Sequence, residues 1–273
     1  MNPYFRFSGH SLGVGARFHR LDEAVDLDHV IPTLGASVLA PTGGRATASA
    51  KDYAYVVDQP RKRTLLSVRK VETEAHGRDK GTQFETEVQS FVECLDVVEK
   101  LSIGLVRLHF LSTYDIQPET GVSVVSTKGS AIEGIQMGNV KAVVTLDEEP
   151  LRFTGHADQL AAFYRNQTDA YKKQHGWRFK LDEGTDCDAG RCRPHKFTLV
   201  EKIELSGPER ELQDISVDGH TIYWKGFGRI VLGEVEIQCK DRSVTLVRLA
   251  MGSDAGGSGT AGSGQSNGHP SGN

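Results

Sequence analysis

The chain has 273 residues, 38% hydrophobic and 25% charged, with a formal net charge of −4. That length admits one large or two small domains, and the composition suits a soluble globular protein rather than a disulfide scaffold, since only four cysteines are present. The acidic balance excludes the global basic field that nucleic-acid binding uses.

The N-terminus, MNPYFRFSGHSLGVG, lacks the charged region and apolar run of a secretory leader. Cytoplasmic residence is therefore the expectation, with a processed secreted chain as the alternative. No run reaches the ~18 apolar residues of a membrane-spanning helix. The longest apolar stretch, 101–111, is interrupted by Arg107 and His109.

Residues 1–50 carry little pattern. Gly9, Gly13 and Gly15 cluster near Ser8 and Ser11, but their spacing fits neither the dinucleotide fingerprint nor a phosphate loop. Residues 21–27 read as a short helical turn and 41–44 as a turn. From Asp52 onward, apolar and polar residues alternate with the period of a strand. Strands are expected at 53–57, 65–71 and 84–92. In the last of these, Phe84, Thr86, Val88, Ser90 and Val92 share one face, and Glu85, Glu87 and Gln89 form a solvated one. Arg61-Lys62-Arg63 reads as a solvated turn. Residues 95–111 are one long bent strand or two, with Gly104 suited to a bulge. A short strand at 122–126 precedes a hairpin of 132–137 and 140–146, turned by Gly138-Asn139. Residues 52–153 thus read as a meander of about seven strands.

A helix follows over about 156–175, where Leu160, Phe163, Tyr164, Gln167, Ala170 and Tyr171 recur at helical spacing. Gly176 stops it, and Lys172, Lys173 and His175 suit its C-terminal dipole. Strands are expected again at 197–205 and 212–217. The stretch 219–252 reads as a hairpin and as the scaffold of the fold. With 240–242 as its loop, Val235 pairs with Val247, and Glu234 falls opposite Arg248 in a surface ion pair. Residues 254–273 are dominated by Gly and Ser, and that composition predicts a flexible tail.

The fold class is therefore mainly β: an antiparallel two-layer sandwich or paired sheets with one long α-helix. Residues 1–253 form one folded unit, and 154–180 is the place for any internal split.

The best candidate for chemistry is the loop 181–196. Cys187 and Cys192, with His195 following and His175 preceding, supply the thiolates and imidazoles of a zinc site. The simpler reading is an inert loop or a Cys187–Cys192 disulfide. Asp182, Glu183, Asp186 and Asp188 offer oxygen donors but do not fit the EF-hand spacing. No nucleophile elbow is present. Cys94 and Cys239 read as small buried hydrophobes, and His109 and His220 as structural residues. No cofactor is the expectation, with zinc as the alternative that the loop 181–196 would support.

The leading functional expectation is a non-enzymatic binding or assembly protein. It works through sheet surfaces and strand edges on a protein partner or its own copies, with no nucleic acid and no membrane as partner. The alternatives are a hydrolase, with or without a metal, built from dispersed residues, and a pore-forming protein that inserts amphipathic hairpins.

Overall fold

The computed structural model describes residues 4–18, 29–58, 62–115, 123–152, 157–181, 194–238, 241–252 and 257–271. Strands β1 (Tyr4–Arg6), β2 (Gly9–Phe18) and β3 (His29–Val38) open the chain. The long strands β4 (Gly44–Val57), β5 (Arg63–Asp79), β6 (Gln83–Val97) and β7 (Leu101–Asp115) follow. Then come β8 (Ser123–Ser126), β9 (Ala131–Met137) and β10 (Val140–Leu146). Helices α1 (Glu149–Arg152), α2 (Ala157–Arg165) and α3 (Asp169–His175) lead to β11 (Phe179–Lys180), β12 (His195–Thr198) and β13 (Val200–Ser206). Helix α4 (Glu209–Leu212) precedes β14 (Ile215–Asp218), β15 (Thr221–Trp224), β16 (Gly228–Gln238) and β17 (Asp241–Met251). The chain closes with β18 (Gly257–Ser266) and β19 (His269–Ser271).

Two antiparallel sheets pack as a sandwich. The eight-stranded sheet runs β13-β10-β9-β7-β6-β5-β4, with β8 on β7. The nine-stranded sheet runs β11-β12-β16-β17-β18-β2-β3, with β15 and then β14 added on β16. Strands β1 and β19 pair separately and bring the two chain ends together. The core between the layers is aliphatic: Val88, Val92, Leu108 and Phe110 on one side meet Val14, Val244, Leu246 and Ala261 on the other, each 1% exposed or less.

A crease crosses each sheet at right angles to its strands. In the eight-stranded sheet, Asp52, Cys94 and Gly134 adopt φ of 50°, 52° and 69° on alternate strands. The regular pairing skips the register row Asp52–Arg69–Cys94–Gly104–Gly134 and resumes unchanged beyond it. In the nine-stranded sheet, Gly233, Gly262 and Gly35 adopt φ of 62°, 63° and 65° in the row Gly233–Leu246–Gly262–Gly13–Gly35. A left-handed residue on every second strand makes two consecutive side chains share a face, and this reverses the alternation on all strands at once. On β5 the buried set runs Leu66, Val68 and then Val71, Thr73, Ala75.

The creases face each other, and there the layers touch without side chains on one of them. A Cβ on Gly13 would lie 2.1 Å from Val71 Cγ1, and one on Gly262 would lie 2.6 Å from Val106 Cγ1. A Cβ on Gly264 would meet Val88 at 2.9 Å and Leu108 at 3.0 Å. Space requires glycine at all three positions, and at Gly262 the backbone angle of φ 63° requires it as well.

The Gly/Ser-rich C-terminus is therefore not a free tail over 257–271. Strand β18 lies between β17 and β2 and pairs with both along its length. Much of it is buried, but its side chains are too small to bury much apolar area of their own, and it lets the aliphatic residues of the opposite sheet bury theirs.

The hairpin of β16 and β17 pairs in a different register from the expected one. Val235 lies opposite Val244, and Gln238 opposite Asp241, so only residues 239–240 separate the strands. Glu234 lies opposite Thr245, yet it still accepts from Arg248 Nη2 at 2.5 Å, reached diagonally across the crease.

The expected long helix is two short ones. Thr168 Oγ1 accepts from the Tyr171 N–H at 3.2 Å and starts α3 afresh, and Gly176 closes it. The expected Gly138-Asn139 turn joins β9 and β10, with Met137 opposite Val140. The helical turn expected at 21–27 lies outside the described residues.

The outer face of the eight-stranded sheet is solvated and charged, as the run Glu85, Glu87, Gln89 implies. Arg45 pairs with Glu74 at 2.8 Å, Arg78 with Glu87 at 2.6 Å and Lys80 with Glu85 at 2.6 Å, and Arg69 pairs with Glu93. His109 lies between two acceptors, the Lys128 carbonyl at 2.7 Å and Glu87 Oε1 at 2.9 Å. Burial favours the neutral Glu87 carboxyl. Hydrogen bonds from Gln89 and His109 and the charge of Arg78 outweigh that, so its pKa falls below 4.5.

Three outcomes test this description. Gly262→Ala lowers the unfolding free energy read from urea titration by on the order of 1–3 kcal/mol, because both space and backbone angle oppose the new Cβ. Asp52→Gly, which relieves a left-handed non-glycine on an exposed strand, leaves stability equal or raises it by up to about 1 kcal/mol. The Glu87 pairing stabilises the fold above the carboxyl's unfolded pKa and is lost as pH falls through its lowered folded pKa. The loss of urea stability between about pH 5 and 3 is therefore shallower in Glu87→Gln than in the parent.

Candidate functional site

The ends of the two sheets enclose a cleft of about 920 Å³, the size of a small-ligand site. From the nine-stranded sheet come Tyr223 and Trp224 of β15, the turn Lys225-Gly226-Phe227, Gly228 and Arg229 of β16, Ala250 and Met251 of β17, and Gly257 of β18. The eight-stranded sheet supplies Arg63, Val98 and Lys100.

Local sequence explains the lining. Gly226 has φ +74°, and Gly228 has φ +133° with any Cβ only 2.2 Å from the Ala250 carbonyl oxygen. The chain between β15 and β16 must turn there on glycine. That turn stacks Phe227 on Trp224, with ring centroids 5.0 Å apart. Phe227 is buried, Trp224 half-buried and Tyr223 exposed. On the other sheet, β6 turns into β7 through Val98 and Glu99 at φ 48° and 56°. A β-branched residue in the left-handed region is a strained choice. It is held by Val98 N–H donating to the Leu65 carbonyl at 2.9 Å and by Glu99 Oε1 accepting from the Thr64 N–H at 2.9 Å. This turn brings Lys100 to the cleft.

The electrostatics are one-sided. Four cations, Arg63, Lys100, Lys225 and Arg229, line the cleft, and Asp214 is the one carboxylate among the described lining residues. Lys225 Nζ approaches Asp214 at 3.6 Å. Lys100 and Arg229 make no side-chain hydrogen bond or ion pair among the described residues. The arrangement offers positive charge and ring faces, with no imidazole or thiol among the described lining residues.

The residues singled out from sequence lie elsewhere. Cys187 and Cys192 fall outside the described residues. His195 is buried in β12 opposite Ile237. His175 ends α3 with its ring 4.7 Å from that of Tyr171. Among the described residues, no group of three or more His, Cys, Asp or Glu is placed to hold a metal.

Two buried cations are structural in geometry. Arg178 donates to Asp147 Oδ2 at 2.6 Å and to the Asp147 carbonyl at 3.0 Å, which ties the helical segment to the sheets. Arg242, at the far end of β17 from the cleft, donates to Ser112 Oγ at 2.9 Å, and burial pushes its pKa down to about 10. Cys94, expected as a small buried hydrophobe, is half-buried at the crease.

Sequence reasoning missed the cleft. Its aromatic turn, Trp-Lys-Gly-Phe-Gly-Arg, was a legible signal, since glycines flank an aromatic at a strand junction. Arg63 stood in a triplet read as a solvated turn, and Lys100 gave no signal.

No curated protein and no solved structure matches the chain. A family model described as a domain of unknown function matches residues 5–238, and the chain belongs to that family, DUF8256.

Proposed function

We propose that this protein is a binding module that works without covalent chemistry and takes a ring-bearing anion into the cleft at the end of the sandwich. The observation that carries this reading is the lining. Lys100 and Arg229, without ion-pair partners among the described residues, share one concave site with Trp224 and Tyr223. An anion there gains charge-assisted hydrogen bonds, and a flat ring or sugar face gains contact with the aromatic rings. Strain at Val98 and Glu99 supports the same reading, because the turn that carries this cost delivers Lys100 to the cleft.

The chain has two tryptophans, and Trp224 lines the cleft, so ligand entry is read by fluorescence. Titration with trigalacturonate and with ATP, each a ring-bearing anion, gives a saturable change with at least one of them. Neutral maltotriose gives none. Arg229→Ala weakens the response about tenfold, the scale of one charge-assisted hydrogen bond, and Trp224→Phe removes the signal. No saturable response to either anion, or equal response to maltotriose, overturns the reading.

A further inference from the structure

A second hollow adjoins the cleft at Arg229. It has a volume of about 540 Å³, lies on the outer face of the nine-stranded sheet and shares Arg229 and Ala250 with the first. Its floor follows one register row. Tyr223 on β15 pairs with Arg229 on β16, Arg229 with Ala250 on β17, Ala250 with Ser258 on β18, and Ser258 with Arg17 on β2. Residues directly opposite one another share a face, so these side chains stand in line across five strands. Four inter-strand steps of about 4.8 Å make a trough of roughly 19 Å beyond Tyr223.

The chemistry along the trough is consistent. Arg17, Arg229 and Arg248 all line the outer hollow, and Thr33 and Thr260 add hydroxyls. The floor is low because β18 contributes only Ser258, Gly259 and Thr260 to it. Arg248 is paired with Glu234 at 2.5 Å. This cationic line runs over a protein of net charge −4.

From the adjacency of the two hollows at Arg229 and the single register row that runs from one to the other, and building on the cleft reading above, we infer that the ligand is an extended polyanion, an acidic polysaccharide. One end enters the cleft beside Trp224 and the chain crosses β16 to β2 along the trough. A polysaccharide is favoured over a single-stranded nucleic acid by the floor. Bases need aromatic platforms spaced along their path, whereas here the rings stand at one end and the path is serine, threonine and alanine. Carboxylates or sulfates along a glycan meet Arg229 directly and meet Arg17 and Arg248 in addition to the contacts those two already make, and its hydroxyls meet Ser258 and Thr260.

The test is length dependence in the full chain. Trigalacturonate and a polygalacturonate of about fifteen residues are titrated by calorimetry at low salt, alongside oligo-deoxythymidine of matching charge. The expected result is that the long glycan binds at least tenfold more tightly than the trimer per binding event, and that added salt reduces this gain. In Arg17→Gln and in Ser258→Glu, both on the trough, the ratio of long to short affinity falls towards one. Circular dichroism and the urea midpoint check that these surface variants are folded. Equal affinity for trimer and long glycan, with the ratio unmoved by Arg17→Gln, overturns the trough while leaving the cleft in place. Tighter binding of oligo-deoxythymidine than of the long glycan overturns the polysaccharide assignment. Binding of neither length of glycan overturns it as well, and a retained response to ATP then shows that the cleft reading survives.

Discussion

Everything in this fold depends on how closely the two sheets approach along their creases. Val71 and Val106 project from one layer into positions where the other offers only Gly13, Gly35 and Gly262. Sandwich layers usually interlock side chain against side chain. Here backbone is pressed against aliphatic groups along a line, and each strand must reverse its alternation at that line to keep apolar residues inward on both sides. Because the register resumes unchanged beyond each crease, no strand can reverse alone without placing its remaining residues on the wrong face. The crease is thus a property of the whole sheet, and the left-handed residues at Asp52, Cys94, Gly134, Gly233, Gly262 and Gly35 are its separate local signs.

The same line explains what could be read in the sequence and what could not. Each half-strand was legible: Phe84 to Val92 alternates correctly, and Gly138-Asn139 turns where a hairpin should turn. The long strands read as short because a period-two pattern fails at the crease, as between Val68 and Val71. The C-terminal segment was misread for a deeper reason. Composition rules weigh the surface that a segment itself can bury, whereas β18 is stabilised by backbone pairing on two sides and by the burial it permits to Val88, Val106 and Leu108. The hairpin register went astray because the Glu234–Arg248 pair looked like a cross-strand partner and is in fact diagonal. The cleft was out of reach because Arg63 and Lys100 meet Trp224 only when the two layers close.

The glycine content also gives the outer surface its shape. On β18, Gly262 and Gly264 let the layers meet, while Ser258 and Thr260, on the other side of the crease, face outward and leave the sheet hollow there. One strand of minimal side chains thus serves the core on one face and opens a trough on the other. The residues around it could be changed to suit different ligands without disturbing the crease.

The pairing of the two chain ends has a mechanical consequence. Tyr4 lies opposite Ser271, and further in, Gly9 lies opposite Ser266. A force applied to both ends loads these ladders from their open end, so their hydrogen bonds are broken one after another rather than together. Peeling would proceed from β1 and β19 into β2 and β18, and would free an interior strand of the larger sheet before the long strands of the other layer carried load. A fold tightly packed along its creases is, for that reason, weakest where its two ends meet.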